Sequence, residues 1–118
     1  MFLNDLYAII GLRSTPEKIT SRIRLDAGHP VYLGHFPGAP VTPGVVQLAI
    51  VKEILEHCLA REVRLSNLRT CKFLEVLDPG RYPEITFDIQ VKVAEQIQVN
   101  ASASSGDVVF FKAQATYL

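Results

Sequence analysis

The chain has 118 residues, the size of one ordinary domain, and its 48% hydrophobic and 20% charged residues are a globular rather than a disordered composition. Lys and Arg total 12 and so do Asp and Glu, so the cationic excess of a dedicated nucleic-acid or polybasic membrane binder is missing. Leu6–Ile10 is a short apolar run with acidic Asp5 and no basic residue before it, unlike a secretory signal. No apolar stretch approaches the ~18–20 residues of a membrane span. A cytoplasmic setting is expected, with Cys58 and Cys71 as reduced thiols in or near a core. The two cysteines are too few for a usual zinc cluster, and no His/Cys/Asp set has metal-ligand spacing, so neither metal nor organic cofactor is expected.

In chain order, Leu3–Ile10 suits a short helix. From Lys18 to Asp26 the chain alternates, with Ile19, Ile23 and Leu25 on one parity and Lys18, Thr20, Arg22 and Arg24 on the other. That pattern predicts a half-buried strand. Five of the seven prolines and five of the seven glycines fall between Gly28 and Gly44 or at Pro79-Gly80, which marks both places as irregular. Pro43 beside the first turn, with Thr42 as N-cap, starts a helix over VVQLAIVKEILEHCLA. Its first turns are apolar all round, which predicts burial. The rest reads as strands: one from Val63 to about Leu77, a turn at Pro79-Gly80, and clean alternation from Ile85 to Val93. A tight turn at Ala94-Glu95 leads to alternation over Ile97–Ala103, a hairpin loop at Ser104–Asp107 and a last strand over Val108–Leu118. One buried helix and one curved antiparallel sheet make an α+β architecture, and its free edges favour dimerisation.

The segment from Gly34 to Gln47, GHFPGAPVTPGVVQ, resembles the active-site motif of the hot-dog-fold (3R)-hydroxyacyl-[acyl carrier protein] dehydratases, GHFPGxPxxPGV followed by an apolar helix. The match is ungapped from Gly34 to Val45. A weaker similarity covers Lys72–Gly80, KFLEVLDPG, where Glu75 replaces a family proline. The resemblance implies a single hot-dog domain over residues 1–118 and removal of water from 3-hydroxyacyl thioesters in fatty acid, polyketide or polyene synthesis. It also implies a carrier-protein-bound substrate and a homodimer, or a heterodimer with a related subunit.

That reaction needs a base for the C2 proton, a donor for the thioester carbonyl and an acid for the C3 hydroxyl. By resemblance His35 is the base, since an imidazole titrates near neutrality. The Val41 carbonyl orients its ring. The Gly44 N–H, at a helix N-terminus where unpaired N–H groups and the dipole favour negative charge, is the carbonyl donor. Phe36, Pro37, Gly38, Val41, Val45, Leu48 and Ala49 then line the substrate path.

The family acid stands fourteen residues after the histidine, and here that position is Ala49. Three readings follow. Glu53, where the family usually has Gln, shares the face of Ala49 one turn (~5.4 Å) further on and substitutes for the acid. Alternatively a partner subunit supplies the carboxylate, because family sites combine the histidine of one protomer with the acid of the other. Or the chain is a catalytically silent subunit that binds acyl chains or carrier protein. A thioesterase ranks lower, because hot-dog folds host hydrolysis but this motif points to dehydration. His29 and His57 read as structural or solvated. Arg61, Arg64, Arg69 and Lys72 form either a docking patch for an acidic carrier protein or an ordinary charged face.

Overall fold

A computed structural model of the chain describes residues 1–33 and 40–118. Six strands form one antiparallel sheet: β1 (Tyr7–Ser14), β2 (Lys18–Leu25), β3 (Leu65–Phe73), β4 (Glu84–Val93), β5 (Ile97–Ser105) and β6 (Val108–Tyr117). Their spatial order is β1-β2-β4-β5-β6-β3. The helix α1 (Gly44–Leu59) lies in the long connection from β2 to β3, after a single 3-10 turn at Pro30–Tyr32. The crossover carries β3 to the far edge of the sheet, beside β6. This is the helix-on-sheet arrangement that the resemblance implies.

The alternation in the sequence sets the inner face. Ile19, Ile23 and Leu25 of β2, Ile85, Phe87 and Ile89 of β4, and Ile97 and Val99 of β5 are all buried. At register, Ile19 lies opposite Ile89 and Ile23 opposite Ile85, so the apolar parities of neighbouring strands coincide. Toward β6 the inner face turns small, with Ala101, Ala103, Ala113 and Ala115. A bulge between Ala103 and Ser104 inserts one extra residue into β6, and both Phe110 and Phe111 are buried there.

Two elements differ from the sequence expectation. The expected helix over Leu3–Ile10 is instead a turn followed by strand: β1 starts at Tyr7 and pairs with β2 from Tyr7↔Leu25 to Ser14↔Ile19. The pair Ile9-Ile10 is β-branched and suits a strand, and β2 offers a partner edge that a local reading does not see. The strand expected from Val63 to Leu77 ends at Phe73, and residues 74–77 run on beside the start of α1. The expected turns are present: Tyr82 N–H donates to the Asp78 carbonyl (2.8 Å), Ala94 N–H to that of Gln96 (3.0 Å), and Gly106 takes φ +55° in the last hairpin.

Helix α1 buries Val46, Gln47, Ile50, Val51, Ile54 and Leu55, a stripe at 3–4-residue spacing. It is therefore not enclosed all round. Val45 is 76% exposed, and Leu48 and Ala49 are half-buried. Among the described residues, no helix is long and apolar enough to cross a membrane.

Candidate active site

The site is built around the N-terminus of α1. Pro43 is the N-cap, with φ −57° set by its ring, and makes no side-chain cap. Thr42, the cap expected from the sequence, does something else. Its hydroxyl meets the Tyr32 hydroxyl (2.9 Å), because Thr42 sits one residue too early to reach the first-turn amides. The Pro43 carbonyl accepts from the N–H groups of Val46 and Gln47, both at 3.1 Å. No described residue accepts from the Gly44 N–H, which lies at the positive end of the helix.

Gly44 opens onto a groove of about 330 Å³. Val41, Thr42, Pro43, Gly44 and Gln47 form one wall, and Phe73 to Leu77 the other. Thr42 N–H joins the two walls by donating to the Leu77 carbonyl (2.8 Å). The Phe73 ring stacks on Phe111 (centroids 5.7 Å apart) and lies against Gly44 so closely that a Cβ there would overlap it. The need for glycine is thus steric: a ring already fills the space a side chain would take. A larger depression of about 490 Å³ on the sheet, lined by Lys18, Asp88 and Lys112 among others, includes none of the described motif residues 40–47.

His35, Phe36, Pro37 and Gly38 lie outside the described residues. Of the other expected site residues, Val41 and Gly44 share the groove. Val45, Leu48 and Ala49 lie on the accessible side of α1. The structure adds three features that the sequence reading misses as parts of the site: the groove wall Phe73–Leu77, Tyr32 and Gln47. The KFLEVLDPG similarity is the one available signal for the wall.

Glu53 is placed elsewhere, which corrects its reading as a stand-in acid. Its Oε1 accepts from Leu3 N–H (2.9 Å) and the Tyr7 hydroxyl (3.0 Å). Its Oε2 accepts from Phe2 N–H (2.8 Å) and lies 2.9 Å from the Met1 ammonium. Nine residues beyond Gly44, it stands roughly 13 Å along the helix axis from the carbonyl donor. Burial pushes this carboxyl up. Hydrogen bonds from the ammonium, the Phe2 N–H and the Tyr7 hydroxyl outweigh that and leave it below the ordinary 4.5. A general acid must hold a proton at working pH, and this carboxylate is kept ionised. It fastens the segment before β1 onto α1.

Glu53→Ala is therefore expected to lower stability by about 1–3 kcal/mol, because it leaves the partly buried donors of Phe2, Leu3 and Tyr7 unpaired. Denaturant melts check the loss, and faster amide exchange at Phe2 and Leu3 locates it. The pH dependence follows from the depressed pKa. The contribution is present above the unfolded-state value near 4.5 and is lost as pH falls through the lower folded value. The wild-type advantage over Glu53→Ala should shrink in that acid range and hold steady above it.

His29 is structural, as expected. Its Nδ1 accepts from Val31 N–H (3.0 Å), so the proton is on Nε2, which faces Asp5 Oδ2 at 2.9 Å. His57 is exposed at the end of the helix, and Cys58 and Cys71 are free thiols. Arg61, Arg64, Arg69 and Lys72 are exposed at the surface after α1 and on β3. No group of three or more His, Cys, Asp or Glu side chains among the described residues could hold a metal ion.

A family model described as ApeI-like, ApeI dehydratase, matches residues 12–111. The 3-hydroxyacyl-[acyl-carrier-protein] dehydratase FabZ of Levilactobacillus brevis is 28% identical over 109 residues, covering 86% of this chain and 74% of that protein. The FabZ of Rickettsia typhi is 35% identical over 78 residues, covering 58% of this chain and 54% of that protein. Among solved structures, a chain of the dehydratase heterocomplex ApeI:P from Xenorhabdus doucetiae superposes with a TM-score of 0.69 at 20% identity, covering 92% of this chain and 95% of that one. A cysteine-to-alanine variant of the HP0420 homologue from Helicobacter felis gives 0.64 at 12% identity, covering 91% and 72%. These structural likenesses establish the hot-dog fold.

Proposed function

The chain belongs to the ApeI-like dehydratase family, and from that membership we propose that it takes part in removing water from 3-hydroxyacyl thioesters carried on acyl carrier protein. It is a 3-hydroxyacyl-[acyl carrier protein] dehydratase-like protein. The observation that carries the reading is the Gly44 N–H at the start of α1, which has no acceptor among the described residues, opens onto a groove and stands nine residues after the motif histidine.

In this reading the thioester carbonyl accepts from the Gly44 N–H, which stabilises the negative charge that develops as His35 removes the C2 proton. The electron pair left at C2 forms the double bond to C3 as the C3–O bond breaks. The departing hydroxide takes a proton from an acid and leaves as water. This chain has Ala49 at the family's acid position, and Glu53 is held ionised elsewhere. The acid is therefore supplied by a subunit that bears a carboxylate at the matching helix position.

The β3 edge supports such pairing. Among the described residues it pairs with β6 alone, and Leu65, Leu68 and Phe73 are between 39% and 56% exposed. Leu74 and Val76, on the groove wall beside Phe73, are exposed as well, as is Val45 on α1. An open strand edge with exposed aliphatic residues is stabilised by another edge. Leu68→Glu places a charge there without disturbing the core. It should weaken subunit association at least about tenfold, since burying an unpaired charge is strongly unfavourable. Sedimentation velocity checks this, and unchanged association would place the interface elsewhere.

The direct test is dehydration of a 3-hydroxyacyl carrier protein, followed by the appearance of the enoyl product. The chain alone and the chain mixed with a carboxylate-bearing hot-dog subunit are compared. Turnover that needs both subunits is expected. Turnover by neither, across several acyl lengths, would overturn the assignment.

A further inference from the structure

We propose that Tyr32, Thr42 and Gln47 form a buried clamp that positions the Gly44 donor, with Thr42 and Gln47 acting as positioning residues. The inference rests on the reading of Gly44 as the thioester-carbonyl donor. All three side chains are at least 95% buried. Thr42 spends every polar group it has: N–H to the Leu77 carbonyl, hydroxyl to the Tyr32 hydroxyl, and carbonyl to Gln47 Nε2 at 3.2 Å.

Gln47 grips two successive carbonyls. Its side-chain amide holds that of Thr42, and its backbone N–H holds that of Pro43. The peptide groups before and after Pro43 are thereby both fixed. A trans peptide sets N–H opposite C=O. With the Pro43 carbonyl turned into the helix, the Gly44 N–H must point out of its N-terminal end. The Tyr32–Thr42 bond also joins the chain on either side of the motif segment 34–39. The Thr42–Leu77 bond holds the opposite wall of the groove at a set distance.

Stability alone does not account for this cluster. Polar groups are costly to bury, an apolar trio of the same shape would avoid that cost, and Gln47 Oε1 is buried without a hydrogen-bond partner among the described residues. What the polar trio supplies is direction. A carbonyl donor acts through its aim, and small displacements of an aligned group cost large factors in rate.

The test uses octanoyl-pantetheine labelled with carbon-13 at the thioester carbonyl, bound to the chain in its active assembly. Isotope-edited infrared spectroscopy reads the carbonyl band. In the wild type the band should lie below that of the free thioester. In Gln47→Leu, Tyr32→Phe and Thr42→Val it should move back toward the free value. Turnover of the 3-hydroxyacyl substrate should fall about tenfold or more in kcat, with KM within about twofold. Thr42→Ser, which keeps the hydroxyl, should restore the band lost in Thr42→Val. Tyr32→Phe removes one oxygen and no packing, so it keeps the test open if a harsher variant fails to fold. Folded variants that retain both the band and kcat would overturn the clamp. A wild-type band equal to that of the free thioester would overturn the Gly44 reading itself, and the clamp with it.

Discussion

Replacing His35 with alanine is expected to abolish dehydration in the assembled protein while leaving its fold intact. A positioned general base contributes about 10²–10⁴ in rate, and neither of the other two histidines is available near the groove. His29 has both ring nitrogens engaged by Val31 and Asp5, and His57 is at the far end of α1. The variant should fold because the core is made by β1, β2, β4, β5, β6 and one face of α1, with Leu6, Tyr32, Val63 and Leu77 packed among them. Enoyl formation measured at saturating substrate, beside a thermal melt matching wild type, checks both halves. Unchanged turnover would remove His35 from the chemistry and the dehydration assignment with it.

Ala49→Glu is expected to give the opposite result, a gain. Ala49 is half-buried on the side of α1 that the sheet does not cover, so a longer side chain has room. It stands five residues from Gly44, roughly 7.5 Å along the axis, much nearer than Glu53. A carboxyl restored there should allow two copies of this chain to complete sites across their shared edge. Activity of the chain alone should rise by about 10²–10⁴, the range of one general acid. The comparison is turnover of Ala49→Glu against wild type, each without a partner subunit. If the variant stays silent while wild type plus partner turns over, the partner's acid comes from another position.

The strands are largely legible in the sequence because an alternating pattern of β-branched and charged residues is a local signal. Ile19, Ile23 and Leu25, like Ile85, Phe87 and Ile89, form buried parities, and Gly106 and Pro79-Gly80 mark real turns. The position of helix α1 is legible too, but its face is not. Apolar residues stand all round its first turns, so the pattern does not show that Val46 and Ile50 are buried while Val45 stays exposed. The N-terminal segment misleads for the same kind of reason. Leu3–Ile10 suits helix or strand locally, and pairing with β2 resolves it.

The candidate site divides along the same line. The motif, its glycine before an apolar helix and the alanine at position 49, where the resemblance places an acid, are properties of spacing, and they specify the chemistry proposed for this chain. Glu53 shows what spacing leaves open. Its place one turn beyond Ala49 says nothing of the backbone amides of Phe2 and Leu3, 51 and 50 positions away, that occupy it. Nor does spacing show that Thr42 turns its hydroxyl to Tyr32 rather than capping α1, or that Leu77 closes the groove. Strand parity, helix start and reactive residue types are written in the chain itself, because they depend on neighbours within a few positions. Which polar group meets which is settled only on folding, because hydrogen bonds act over about 3 Å between residues that lie far apart in the chain.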